Sequence, residues 1–228
     1  MSDVLLLLIV VIGTVILFLT MRYLYARFSI AILHPVLTST VIIVLTLLLF
    51  NVSYERFMIG GKWIELFLGP SVVALAYPLY NQRTFVMKYR NAIVLGISSG
   101  LLTAMGSILL FAKIFQLEED IFHSIIPKSI TTPVAIQLSS SLEGIPSLTA
   151  VFVMIAGFSG VILGPLVMKY ARIHSPLSKG LALGSASHAL GVAKSTEYGE
   201  LSLSMASISM TLSAIAGSAV GPLFILLS

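Results

Sequence analysis

Cysteine is absent from the 228 residues, so the chain has no disulfide, no thiolate nucleophile and no cysteine-ligated metal. Charged residues are also scarce, at 10% of the sequence against about 25% in an average soluble domain. Catalytic motifs are missing too: there is no HExxH, no Walker glycine loop, no GxSxG and no pair of carboxylates inside an apolar run. We therefore expect no enzyme activity, no cofactor, no metal site and no catalytic residue.

Long apolar runs dominate what is present. The sequence is 57% hydrophobic and has a mean hydropathy of +1.05. Each run is near or above the roughly 18 residues that cross a hydrocarbon core of about 30 Å, and they cover residues 4–21, 30–50, 92–115, 148–168 and 201–227. This pattern predicts an all-α, polytopic transmembrane helix bundle that forms a single membrane domain over residues 1–228.

The first run has the features of a retained helix rather than a signal peptide. Asp3 precedes it where a signal peptide has basic residues, and Arg22 and Arg27 follow it in place of a small-residue cleavage site. The net charge of +4 is modest. In a membrane protein a basic excess reports topology, so we expect contact with lipid and none with nucleic acid.

The distribution of basic residues gives a topology with one conflict. Cytoplasmic loops carry an excess of lysine and arginine, which places the basic loop of residues 83–90 inside and the acidic loop of residues 118–120 outside. The next basic loop, residues 169–179, should also be inside. Two apolar segments, 121–142 and 146–168, separate it from the acidic loop, and two full crossings would leave it outside.

A re-entrant segment removes this conflict. If residues 121–142 enter and leave on the outer side, residues 146–168 return the chain to the inside. Residues 180–195 are too short to span comfortably and could re-enter from the inner side. Two broken or re-entrant segments that meet near the midplane from opposite faces are typical of inverted-repeat transporters. The alternative is that both segments cross as broken helices and that the charge rule fails once.

A polar cluster at residues 127–133 interrupts the apolar sequence. It combines Lys128, Ser129, Thr131 and Thr132 with two prolines that break helical turns. Irregular backbone at membrane depth requires protein or water around it, and a helix N-terminus attracts anions. The cluster is therefore a candidate site for a small carboxylate. Alternatively, Lys128 extends to the lipid headgroups and the prolines end a surface loop.

Two further segments are candidate walls of the same site. Residues 184–191 carry Ser187 and His188, which could bond a ligand or move a proton. A histidine satisfied by a neighbouring carbonyl is the plainer interpretation. Residues 69–78, with Ser71 next to a proline, are either a third wall or a proline-kinked helix.

Four ordered segments resemble the LrgB/CidB family. Residues 68–80 resemble its LGPA-VALA-PLY block, 127–135 its PKSVTTPIA block, 144–151 its G-PSLTAV block and 180–193 its G-A-G-ASHA-GTA block. The last block departs at Val192, where the family more often has threonine. Lys194 lies in a region where it often has arginine.

The resemblance implies a multi-pass protein of the bacterial cytoplasmic (inner) membrane. The family is associated with holin/antiholin-like control of murein hydrolase activity and autolysis, usually together with a small LrgA/CidA-type membrane partner. Plant relatives are plastid glycolate/glycerate carriers, and some bacterial relatives are linked to pyruvate uptake. Small 2-hydroxy and 2-oxo acids fit the anion site expected at residues 127–133.

The polar segments and the family resemblance together leave two candidate functions. The first is a transporter of small monocarboxylates such as glycolate, glycerate or pyruvate. The second is a holin-like regulatory membrane protein that acts through assembly with its partner and has no substrate. At 24.5 kDa the chain is small for a two-repeat carrier, so a homo-oligomer or a complex is expected in either case.

Overall fold

The structure is a computed structural model that describes residues 3–28, 33, 35–74 and 76–226. Its α-helices are α1 (Asp3–Phe28), α2 (Pro35–Leu49), α3 (Tyr54–Glu65), α4 (Leu68–Ala74), α5 (Ala76–Asn81), α6 (Arg83–Lys88), α7 (Arg90–Phe115), α8 (Glu119–Ile125), α9 (Thr132–Ser141), α10 (Pro146–Tyr170), α11 (Pro176–Ser195) and α12 (Glu200–Ile225). Short 3-10 turns cover Ile126–Ser129 and Thr196–Tyr198. The described residues contain no strand, and the predicted all-α class is confirmed.

The four longest apolar helices match four of the five predicted runs. They are α1, α7, α10 and α12, each of 25 or 26 residues and each apolar enough to cross a membrane. The remaining run contains the 15-residue α2, and its residues 30–32 and 34 lie outside the described part of the chain. The proline-containing residues 69–78, a candidate kinked helix, are helical wherever they are described, and residue 75 lies outside the described part of the chain. A turn at residues 66–67 separates them from α3.

Backbone contacts divide the chain into two compact units, Met1–Pro70 and Ser71–Ser228. In the first unit α1 packs against α2 and α3. Gly60 of α3 lies directly against Val10 of α1, which explains a glycine at that position. The second unit carries the polar segments singled out in the sequence. The single domain predicted from hydropathy stays a prediction.

The core of the second unit forms around one face of α7. The buried residues of that face are Ile93, Ile97, Leu101, Met105 and Ile108, which recur every three or four residues as expected for one side of a helix. Gly217 of α12 approaches Leu101, and Gly221 approaches Met105. The residue numbers of these contacts increase together along both helices, so α7 and α12 run in the same direction.

The segment from α8 to α9 is a helical hairpin. Ser124 of α8 accepts a hydrogen bond through its carbonyl oxygen from the Thr149 hydroxyl, at 2.9 Å. Ser139 of α9 shares a hydrogen bond with the same hydroxyl, at 2.7 Å. The two arms therefore lie side by side at the start of α10. The chain reverses between them, in the turn at Ile126–Ser129 and the residues that follow it.

Helix α11 is a second hairpin, bent at His188. Gly180 packs on the carbonyl oxygen of Ser202, and Gly184 packs on that of Ala206. The first arm of α11 therefore runs parallel to α12, and the chain between them must reverse. Gly191 lies against the carbonyl oxygen of Leu183, although residues eight apart in a straight helix are separated by about 12 Å. The reversal occurs at His188, whose φ of 51° and ψ of −130° are not helical.

The hairpins extend from opposite ends of α10. Its first turn contacts the base of the first hairpin through Thr149. Its last turn, at Lys169, shares a cavity wall with Lys179 and Tyr198 at the base of the second. The 25 residues of α10 span about 37 Å, enough for a bilayer core of about 30 Å. This arrangement agrees with the re-entrant alternative and with the predicted inverted repeat.

The predicted charge conflict disappears in this topology. Basic residues at the base of the second hairpin include Lys169, Lys179 and Lys194. Gly96 of α7 packs against Leu181, so the basic start of α7 lies at the same end. The acidic residues 118–120 lie at the other end, where the first hairpin begins. One side of this unit is therefore basic and the other acidic, as the positive-inside rule expects.

Candidate functional site

The tips of the two hairpins meet. The Nε2 atom of His188 lies 3.1 Å from the backbone carbonyl oxygen of Lys128. A carbonyl oxygen only accepts, so Nε2 carries the proton and donates it. His188 is buried, with 3% of its surface exposed. The two polar segments identified in the sequence are thus joined at their most polar points.

A cavity of 260 Å³ lies beside this contact. Its walls come from α7, the first tip, α10 and α11, and comprise Gly100, Leu101, Ala104, Lys128, Ser129, Ala156, Ser159, Gly160, Ser185 and Ala186. The contributing residues of α7 and α10 are near the middle of those helices. In a membrane-spanning bundle the cavity therefore lies near the midplane.

The polar groups of the cavity are one ammonium and three hydroxyls. Lys128 supplies the charge, and Ser129, Ser159 and Ser185 supply the hydroxyls. No carboxylate lines the cavity, and none of the described carboxylates forms a salt bridge with Lys128. A half-buried cation without a counter-ion, next to hydroxyl donors, suits an anionic ligand.

The other residues predicted for the site do not line this cavity. Thr131 is buried and precedes Thr132 at the start of α9. Ser187 is buried, and its Oγ points at Gly160. Ser71 lies on α4, is exposed and is not part of the cavity wall. Of the residues predicted for the site, the fold therefore places Lys128 and Ser129 in the cavity wall. Ser71, which the sequence suggested as part of a third wall, lies outside it.

Two wall residues, Ser159 and Ser185, were missing from the predicted site. Ser185 is in the broken segment, two residues before Ser187. Ser159 precedes Gly160 in the middle of an apolar helix, and its hydroxyl bonds the carbonyl of Ala156. A serine in a long apolar run is often satisfied by its own helix, so periodicity alone offers only a weak signal for it.

Two buried polar atoms at the tip of the second hairpin have no hydrogen-bond partner. Among the described residues, Ser187 Oγ and His188 Nδ1 are buried and make no hydrogen bond. With Nε2 as the donor, Nδ1 of a neutral imidazole is an acceptor. Such groups are costly to leave unsatisfied and are available to a ligand or water. The described residues contain no group of three or more His, Asp or Glu that could bind a metal.

The sequence comparisons agree with the resemblance found in the motifs. The sequence model of the LrgB-like family matches residues 14–227. The chain belongs to the LrgB-like family. The match includes all four motif segments, both hairpins and the cavity between them.

Similar curated proteins cover nearly the whole LrgB-like chain. "Uncharacterized protein YxaC" of Bacillus subtilis is 57% identical over 217 residues, which is 95% of this chain and 94% of that protein. "Holin-like protein CidB" of Staphylococcus aureus is 34% identical over 227 residues, 100% of this chain and 99% of that protein. CidB of Staphylococcus epidermidis is 33% identical over the same length. No solved structure matches the chain.

Family membership and the long apolar helices together define the location. This LrgB-like chain is a multi-pass bacterial membrane protein.

Proposed function

We propose that this LrgB-like protein transports small monocarboxylates, such as glycolate, glycerate or pyruvate, across the bacterial cytoplasmic membrane. The observation that supports this most strongly is the cavity beside the hairpin tips, with the unpaired Lys128 in its wall. Cavities for drug-sized ligands measure about 300–1,000 Å³. A cavity of 260 Å³ is suited to a smaller molecule.

In the proposed recognition, different protein groups bind the two polar ends of the ligand, its carboxylate and its oxygen at the 2-position. The Lys128 ammonium pairs with the carboxylate, helped by the N-terminus of α9 behind Thr131 and Thr132. Ser129 and Ser185 bond the oxygen at the 2-position, and Ser187 and His188 support this end from beneath. A 2-hydroxyl can donate where a 2-oxo group cannot, so an acceptor such as His188 Nδ1 favours hydroxy acids.

The proposed transport cycle uses the opposed hairpins. Each hairpin closes the cavity toward its own side of the bundle, because its base lies at that end of α10. Movement of one hairpin relative to the other would expose the cavity to one side at a time. The link between His188 and Lys128 then belongs to the state described here.

Uptake of labelled glycolate, glycerate and pyruvate into proteoliposomes tests the proposal. Lys128→Gln should reduce uptake by about tenfold or more, because loss of a charge-assisted pair costs about 1.5–3 kcal/mol. Lys88→Gln is the matched control, since Lys88 is a lysine of the same unit outside the cavity wall. No uptake of any of the three acids by the wild-type protein would refute the proposal.

A second pair of variants tests the cavity by its volume. Ala156→Leu adds a branched side chain to the cavity wall and should block uptake by occupying the ligand's space. Ile155→Leu, at the neighbouring exposed position, changes shape on the outer face and should leave uptake unchanged. Equal uptake by both variants would exclude this cavity as the route.

A holin-like regulatory role is the second candidate. The full-length similarity to proteins named holin-like favours it. In that case the chain would assemble with a small LrgA/CidA-type membrane protein, or with further copies of itself, and would need no substrate. Lysis measured in cells that express Lys128→Gln separates the functions: a regulatory role independent of transport predicts wild-type lysis, and a transport role predicts loss of both.

A further inference from the structure

The cavity at the hairpin tips is the first of three that share walls. A second cavity, of 300 Å³, lies between α10 and α11 and shares Ser159, Gly160 and Ala186 with it. A third, of 220 Å³, shares Met168 and Ile173 with the second. The three follow one another along α10, from its middle to its last turn. The series ends at the basic side of the second unit.

The middle cavity of this series is lined mainly by apolar and small residues. Leu163, Val167 and Leu183 are part of its wall, and Leu163 and Val167 are each more than half exposed. Gly164 lies across from Leu183, and a Cβ atom there would be at an ordinary contact distance of 3.5 Å. A side chain at position 164 would therefore point into the space between α10 and α11. An apolar section separates two polar cavities.

The third cavity is basic. Lys169, His174 and Lys179 line it, together with Tyr198, and we name these four residues the inner vestibule. The Lys179 Nζ atom lies 4.7 Å from the centre of the Tyr198 ring, a cation–π contact that places the ammonium at the cavity wall. None of the described residues that line this cavity is a carboxylate. Nearby Glu197 is already paired with Lys194, at 2.7 Å.

We propose that the inner vestibule binds small carboxylates and is the inner end of a path that runs between α10 and α11 to the cavity at the hairpin tips. This proposal rests on the proposed transport function and adds a second anion site and a route to it. Clustered positive charge in a concave site raises the local concentration of anions.

The absence of cysteine makes the path testable, because one introduced cysteine is the only thiol in the chain. Gly164→Cys places a thiol in the apolar section, where the structure has room for it. Ile162→Cys is the matched control, since it is nearly at the same depth on α10 and exposed on the outer face. Membrane-impermeant methanethiosulfonates, applied to inside-out vesicles, should modify Gly164→Cys and not Ile162→Cys.

The charge of the vestibule is tested by comparing two reagents on Gly164→Cys. A sulfonate-bearing methanethiosulfonate should react faster than a trimethylammonium-bearing one. Lys169→Gln with Lys179→Gln should lower this rate ratio by about tenfold, the lower end of the range for electrostatic focusing. Lys88→Gln, outside the vestibule, should not change it. Because Lys179 also contacts Tyr198, Lys169→Gln alone is measured as well and should give a partial reduction.

Glycolate should slow the modification of Gly164→Cys when both vestibule lysines are present. Equal modification of the two cysteine variants would refute the path, and an unchanged rate ratio in both lysine variants would refute the anion site. These readouts require no transport. A wild-type protein that takes up no carboxylate, yet shows the expected labelling, would therefore refute the proposed function and leave the vestibule supported.

Discussion

His188 and Lys128 are sixty residues apart in the chain, and the Nε2 atom of the histidine donates to the carbonyl oxygen of the lysine at 3.1 Å. The contact joins two hairpins whose bases lie at opposite ends of α10. It uses the lysine's backbone, so the ammonium remains available to the cavity. One residue thus contributes its main chain to the fold and its side chain to the candidate site.

Replacement of His188 should separate its backbone role from its hydrogen bond. Its φ of 51° and ψ of −130° are costly for any residue with a Cβ, by about 1–3 kcal/mol, and are easily adopted by glycine. His188→Gly should therefore be more stable than His188→Ala by about 1 kcal/mol in thermal unfolding in detergent. Ala189→Gly, one residue later in helical backbone, should lose stability instead. A glycine variant less stable than the alanine variant at position 188 would contradict the described turn.

Glycine 184 should not tolerate a side chain. A Cβ atom there would overlap the carbonyl oxygen of Ala206 on α12, a backbone atom that cannot move aside without shifting the helix. Gly184→Ala should destabilise the protein by about 1–3 kcal/mol, as overpacking does. Gly106→Ala is the control, because nothing lies within 4 Å of its Cβ position on α7. It should be neutral or slightly stabilising, since alanine is the better helix former.

Gly160 and Ser187 should behave as a coupled pair. A Cβ atom on Gly160 would overlap Ser187 Oγ, and the next nearest atom is Ser187 Cβ at 3.3 Å. Gly160→Ala should therefore reduce thermal stability, and Ser187→Ala in the same chain should recover most of the loss. The expected coupling energy is about 1 kcal/mol, within the range for contacting residues. Strictly additive effects would show that α10 and α11 do not pack in this way.

The hydroxyl of Thr149 should matter more than its shape. It links the arms of the first hairpin through Ser124 and Ser139 and is fully buried. Thr149→Val keeps the volume and leaves these partners unsatisfied, which should cost about 1–2 kcal/mol of thermal stability. Thr103→Val, at an exposed position of α7, should have little effect. Equal stability of the two variants would show that the hairpin base does not depend on this bond.

The sequence predicted the two broken segments of the second unit because charge and hydropathy together constrain how a membrane protein crosses the bilayer. The basic residues 169–179 and the acidic residues 118–120 both obey the charge rule if residues 121–142 do not cross, and the alternative was two crossings with one failure of that rule. The contacts of Ser124 and Ser139 with Thr149 agree with that alternative. Residues 180–195 are too short to span the membrane comfortably, which predicted a broken or re-entrant segment. The structure bends this segment at His188.

The residues that line the cavity were harder to predict from the sequence. Lys128 and Ser129 were identified because a cation and prolines are conspicuous in an apolar context. Ser159 and Ser185 resemble many helical serines that bond their own backbone, and both do so here. The proline next to Ser71 predicts a kink in the helix, but it does not determine which way the helix faces.

By itself, the sequence determined the helical class, four of the five predicted membrane-spanning segments, the two broken segments and the polar residues at their tips. These follow from local properties, since hydropathy, proline and charge act over single segments and against a solvent of known thickness. Only the tertiary structure decided that His188 bonds the carbonyl of Lys128 and that Ser159 completes the cavity. Such contacts depend on how α7, α10 and α11 pack around the tips, and packing is set by side-chain shapes from distant parts of the chain.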